Sequence, residues 1–183
     1  MNDTPRRRDG LRHLVAFIGA LSLLLVTIGC SEPEEPLLSV PYHDWDETTE
    51  QLLDFTVPGH GSGLRKIYAN SVVFETPLPE TGEITYPAGA VFVKEVYETP
   101  APSAEDTPAM LVGMVKAPDD PRSQGGWVWV TRNPADETET VFTDRFCITC
   151  HGNANEEHPY GSGNPDGAFR DYIFHTPAIE GSR

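Results

Sequence analysis

The sequence predicts an α+β protein built mostly on an antiparallel β-sheet, with a few helices and with its chemistry close to the C-terminus. Two observations carry this reading. Several segments rich in β-branched and aromatic residues are separated by loops full of Pro, Gly and acid, the pattern of short antiparallel strands. After the last of them comes Phe146-Cys147-Ile148-Thr149-Cys150-His151-Gly152, about 32 residues from the end. Cys-x-x-Cys-His is the attachment sequence of a c-type haem. Thiols at i and i+3 share one side of a helical turn, so Cys147 and Cys150 can reach two vinyl groups of one porphyrin while His151 reaches the iron. Zinc and a plain disulfide are the alternatives for the two thiols. Structural zinc wants a second ligand pair, and no such pair stands at recognisable spacing.

The chain opens with a processing segment. Arg6, Arg7, Arg8 and Arg12 precede an uncharged run over residues 14–28, too short for a spanning helix and the right length for a signal sequence. It ends in Thr27-Ile28-Gly29-Cys30, which is similar to a bacterial lipobox, with Thr27 where leucine is usual. The expectation is a lipoprotein signal peptide over 1–29 and a lipidated Cys30, with ordinary signal cleavage nearby as the alternative. Arg7-Arg8 also fits a twin-arginine signal. That route carries folded cargo, whereas a c-type haem is attached after export to an unfolded chain, so it is set aside. All three cysteines then have a use, and no structural disulfide is expected.

Loss of residues 1–29 removes four arginines and two aspartates. The formal charge goes from −15 to −17, with 9 basic and 26 acidic residues left. This excludes nucleic acid as a partner and permits steering toward a basic redox partner. Residues 30–41, acidic and proline-rich, read as a tether that holds the domain off the membrane. The remainder, 42–183, reads as one domain.

Within it, Asp46 is placed to cap a short helix through residues 47–54, with Leu52 and Leu53 on the buried side. Residues 58–63, Pro-Gly-His-Gly-Ser-Gly, form a loop. Leu64-Arg65-Lys66-Ile67-Tyr68-Ala69-Asn70 alternates as a strand, which Val72-Val73-Phe74 extends or follows. Residues 76–88 are loop, and Ala90-Val91-Phe92-Val93-Lys94-Glu95-Val96-Tyr97 is the strongest strand of the chain. Residues 98–108 are loop again. Strands follow over 110–116 and 126–131, where Trp127 and Trp129 share one face as sheet packing. A helix from about Glu137 would deliver the haem motif. The tail is irregular apart from Asp171-Tyr172-Ile173-Phe174.

Taken in order, these pieces resemble the cytochrome P-460 family, which includes the β-type cytochromes c′. The resemblance covers about residues 42–174. It rests on the Arg65 strand, on Tyr86-Pro87-Ala88-Gly89-Ala90-Val91-Phe92-Val93-Lys94-Glu95, on Met114-Val115-Lys116, on Gly126-Trp127-Val128-Trp129, on Cys147-Ile148-Thr149-Cys150-His151, and on Asp171-Tyr172-Ile173-Phe174. It implies a homodimer with one high-spin haem c per chain, His151 as the proximal ligand, and a distal side open to small ligands. In the hydroxylamine-oxidising members, a lysine matching Lys94 is joined covalently to the porphyrin. In the c′ members that link is missing, and apolar side chains crowd a site that binds nitric oxide.

The expected function is therefore an exported, membrane-tethered, periplasm-facing monohaem cytochrome. It would bind or oxidise hydroxylamine or nitric oxide and pass electrons to a periplasmic acceptor. The alternatives are a gas-binding c′-like protein and a plain electron-transfer lipoprotein. Lys94 either lies beside the haem or faces solvent on an edge strand. Arg65 either reaches a haem propionate or another anion, or is a surface residue. Phe74, Phe92, Met110 and Met114 are candidate haem walls or plain core. His60, in its glycine-rich loop, is expected to be exposed, with an approach to the distal side as the alternative; His43, His158 and His175 are expected to be exposed. Glu137, Glu139 and Asp144 are proton-acceptor candidates by proximity alone, with solvated surface acids as the alternative.

Overall fold

The computed structural model describes residues 35–177, apart from 50, 56–59, 61–62, 78–81, 100 and 104. The predicted signal peptide, Cys30 and the start of the tether lie outside the described residues, as does most of the 58–63 loop. The described strands form one antiparallel sheet whose spatial order is its sequence order: β1 (Asp46–Glu47), β2 (Leu64–Ala69), β3 (Val91–Tyr97), β4 (Met110–Lys116), β5 (Trp127–Arg132) and β6 (Glu139–Phe142). Two short helices accompany it, α1 (Ser71–Phe74) and α2 (Phe146–His151). The predicted α+β class and antiparallel sheet hold. Among the described residues no helix is long and apolar enough to cross a membrane.

The register fixes what each face carries. Ala69, Phe92, Met114, Trp129 and Phe142 lie opposite one another in a single row. The next row on that face is Ile67, Lys94, Val112, Thr131 and Thr140, and beyond it lie Arg65, Val96 and Met110. The other face presents Tyr68, Val93, Gly113, Val130 and Val141. Leu38 and Tyr42 pack onto it, and a Cβ at Gly113 would overlap the Leu38 side chain. Both faces of β3 and β4 are covered, which is why these strands read as nearly continuous apolar runs.

Three expected elements differ. Residues 47–54 do not form a helix. Asp46 and Glu47 pair with Ala69 and Tyr68, and Leu53 exchanges backbone hydrogen bonds with Arg65 at 3.0 and 3.1 Å. The open edge of β2 needs partners, and this need outweighs a weak local helix preference. Val72-Val73-Phe74 is not a strand. The Asn70 side chain donates to Gly89 O and accepts from Val91 N–H, which ends β2, and the chain coils so that Val73 is buried. The expected helix from Glu137 is replaced by β6 as far as Phe142, behind a turn in which Glu137 takes φ 61°. Only Phe146–His151 is helical, and Asp144 accepts the Phe146 N–H at its start.

Candidate functional site

α2 leaves β6 directly, so the Cys-x-x-Cys-His turn stands at the edge of the sheet face that carries Arg65, Phe92 and Lys94. Cys147 is half-buried and Cys150 exposed, and both are free thiols. Burial, and then the nearby Asp144 carboxylate, push the Cys147 thiol up to about 11. The His151 ring lies 4.7 Å from Trp129 and 5.8 Å from Phe174. Its Nδ1 is 2.9 Å from the Tyr172 carbonyl oxygen. A carbonyl only accepts, so Nδ1 donates, and Nε2 is the nitrogen left for a metal. Burial lowers its pKa to about 4, which keeps the imidazole neutral, the form that ligates.

The Tyr172 carbonyl is itself held. Asp171 and Tyr172 both take positive φ, 50° and 69°. Asp171 is buried, and the Lys116 Nζ lies 2.7 Å from each of its carboxylate oxygens. The Tyr86 N–H and the Trp127 Nε1–H donate to the same carboxylate. The glycine-rich tail is thereby pinned to β4 and β5. Asp171–Phe174, expected to be the exception in an irregular tail, is itself irregular, and its backbone is what meets His151.

Between this tail and the sheet lies a cavity of about 760 Å³. Cys147, Cys150, His151, Lys94 and Arg65 all line it, together with Phe92, Met110 and Met114. Phe74 does not; it is exposed. Lys94 is on an interior strand, flanked by Ile67 and Val112 in register, so the edge-strand alternative fails. Burial, reinforced by the Arg65 guanidinium, lowers its amine to about 7. Arg65 is 1 % exposed, so the surface alternative fails as well. It donates to the Phe55 carbonyl and stacks on the Phe55 ring, while Nε and Nη1 have no partner.

These residues fit a porphyrin. The walls are apolar, two thiols and a neutral imidazole stand on one helical turn, and a buried guanidinium with two unused donors suits a carboxylate. Zinc is a poorer fit, because among the described residues no group of three or more His, Cys, Asp or Glu could hold a metal ion.

Three histidines depart from the expected exposure, His60, His158 and His175, and His60 takes the alternative that the sequence left open. His60 and His158 were expected to be exposed, yet both line the cavity, and His158 is 9 % exposed. His60 is 6.1 Å from His151, ring centre to ring centre, and its Nδ1 has no partner. A lone histidine among glycines carries no local signal of such a placement. His175 also reaches the cavity wall and is half-buried, while His43 lies on the other face, 3.1 Å from Glu95. The proton-acceptor candidates fall elsewhere too. Glu139 accepts from the Leu37 and Leu38 N–H groups, Glu137 pairs with Arg132, and Asp144 accepts from the Phe146 N–H. The carboxylates that do line the cavity are Glu156 and Glu157.

None of the curated proteins matches the chain. The cytochrome P460 family model matches residues 40–175, a span that takes in the whole sheet, the Cys-x-x-Cys-His helix and the tail that holds His151. The chain belongs to the cytochrome P460 family.

Proposed function

We propose that the protein is an exported monohaem c-type cytochrome that binds small nitrogen species, hydroxylamine or nitric oxide, on the haem face opposite His151. Oxidation of the bound species and transfer of the electrons to a periplasmic acceptor complete the reading. One observation carries it: the two thiols and the neutral imidazole of α2 share a single apolar cavity with Lys94 and Arg65. When bound, the haem supplies a redox-active iron with a coordination position for the small ligand. Cys147 and Cys150 would hold the porphyrin covalently. His151, its ring fixed by the Tyr172 carbonyl, would ligate the iron through Nε2. Arg65 would hold a propionate. Lys94, with a pKa of about 7, can take or release a proton at Nζ. A C–N bond from its neutral amine to a ring carbon would replace one N–H and one C–H bond, and a peroxide-class oxidant would have to take up the two electrons and two protons released. Lipid on Cys30 would tether the protein to the membrane, and two copies would form the working unit.

The apolar rows of Phe92, Val112 and Met114 favour a second reading, a gas-ligand-binding protein without turnover. The two separate on the ferrous spectrum of the protein lacking residues 1–30 and matured with haem. A red-shifted main band that Lys94→Ala abolishes, together with hydroxylamine-dependent reduction of the ferric protein, supports the oxidase. An ordinary haem c spectrum with carbon monoxide binding and no such reduction leaves the gas-binding protein. A chain without covalently attached haem sinks both.

A further inference from the structure

We propose that Asn155 is a positioning residue for the iron ligand: it holds the turn over residues 170–173 so that the Tyr172 carbonyl locks the His151 ring, and in this way it sets the strength of the iron–imidazole bond. The proposal rests on the haem reading above and names a residue that tunes the iron through His151.

Two side chains four positions apart grip the two ends of one residue. The His151 Nδ1–H donates to the Tyr172 carbonyl at 2.9 Å, and the Tyr172 N–H donates to Asn155 Oδ1 at 3.1 Å. The Arg170 N–H donates to the same oxygen at 2.9 Å. Both donors are backbone N–H groups, so the amide oxygen of Asn155, and not its nitrogen, faces them. α2 runs straight into a 3₁₀ turn, Gly152–Asn155, so one short piece of helical chain carries both His151 and Asn155. An asparagine that only ties off this helical run is the plain alternative, but its partners would then lie within the run. They lie 15 and 17 residues onward, and one of them is on the residue that accepts from His151. Asn155 does not line the cavity, so its effect passes through His151.

The turn being held is one that its own residues disfavour. The Ile173 N–H donates to the Arg170 carbonyl at 3.0 Å, which closes it, and both central residues take positive φ, 50° at Asp171 and 69° at Tyr172. Asn, Asp and Gly suit such a turn, whereas a bulky tyrosine is out of place there. Backbone strain of this kind persists only where the surroundings over-determine it, and it gathers at functional sites. Here the Asp171 carboxylate secures one side through Lys116, and Asn155 secures the other. The Ile173 N–H and the Tyr172 C=O belong to one peptide unit. The hydrogen bond that closes the turn therefore also polarises the carbonyl that faces His151. A better acceptor for Nδ1–H makes Nε2 a stronger donor to a metal.

The test uses the full-chain holoprotein. Asn155→Ala should lower the iron–histidine stretching frequency in the resonance Raman spectrum of the ferrous form. It should also raise the reduction potential, because a weaker imidazole donor stabilises ferric iron less. Loss of such a partner costs roughly tenfold or more in metal affinity, and a tenfold loss felt by the ferric state alone is about 59 mV in a one-electron couple. Asn155→Asp keeps an oxygen that accepts from both N–H groups and should restore both readings. Asn155→Ser, too short to span the two donors, should shift as the alanine variant does, and it decides the matter where the alanine variant fails to fold. Haem-loaded Ala or Ser variants that only melt earlier, with both readings at wild-type values, overturn the positioning and leave the haem reading standing. An Asp variant that shifts as far as the Ala variant overturns it too. A chain with no haem on a denaturing gel overturns both.

Discussion

Lys94 is a cation held in an apolar row, and its chemistry follows from that. Its amine is about 7 in the folded protein against 10.5 unperturbed, burial being the main cause. Between those values the unfolded chain holds a proton that the folded chain has released. Stability of the haem-free protein therefore rises with pH across this window, and the full cost of the buried amine is present below pH 7. Lys94→Met should flatten the rise and be the more stable chain at pH 6, by an amount on the order of a few kcal/mol. Urea denaturation at pH 6 and pH 10 measures it. Asp171 is the other decisive residue. Asp171→Asn leaves the Lys116 ammonium buried without a counter-charge and should cost about 3–5 kcal/mol. Adding Lys116→Met should recover part of that loss, which a double-mutant cycle in thermal denaturation reads. Neither residue's environment is legible from its neighbours in sequence, because Asp171 and Lys116 are 55 residues apart.

At the scale of elements, β3 carries different chemistry on its two sides. Lys94 faces the cavity, while Glu95, 1 % exposed, faces the N-terminal segment and accepts hydrogen bonds from Tyr42 at 2.9 Å and Tyr97 at 2.8 Å. Glu95→Leu removes the acceptor for both hydroxyls and should cost about 2–4 kcal/mol. It should also expose the chain around Tyr42 to limited proteolysis. The tail depends on a different device. Gly161 takes φ +60°, a Cβ there would overlap the Phe174 carbonyl, and the neighbouring Ser162 N–H donates to that carbonyl at 2.8 Å. Gly161→Ala should lower stability by about 1–3 kcal/mol and loosen the wall beside His151, read as a lower melting temperature. β2 to β5 were legible because their β-branched and aromatic residues state the element locally. β1, α1 and β6 were not. An open sheet edge, the Asn70 side chain and pairing with β5 decide those segments, and all three act from a distance.

For the molecule as a whole, the sheet works as a partition. One face packs the N-terminal segment, and the other leaves a cavity that the C-terminal tail closes over. The formal charge of the chain is −15. Reduction of a basic cytochrome by the loaded protein should slow as salt rises from about 10 to 150 mM, because screening shortens the reach of the acidic surface. Stopped-flow mixing at several ionic strengths checks it. The sequence by itself determined strands β2 to β5 and the Cys-x-x-Cys-His motif with its i, i+3 thiols, since strand propensity and helical spacing are local properties. Tertiary structure alone decided that Lys94 and Arg65 share a cavity with His151, that the Tyr172 carbonyl fixes that imidazole, and that His60 reaches it. Burial and register belong to pairs of residues far apart in the chain, and no short window of sequence contains both members of the pair.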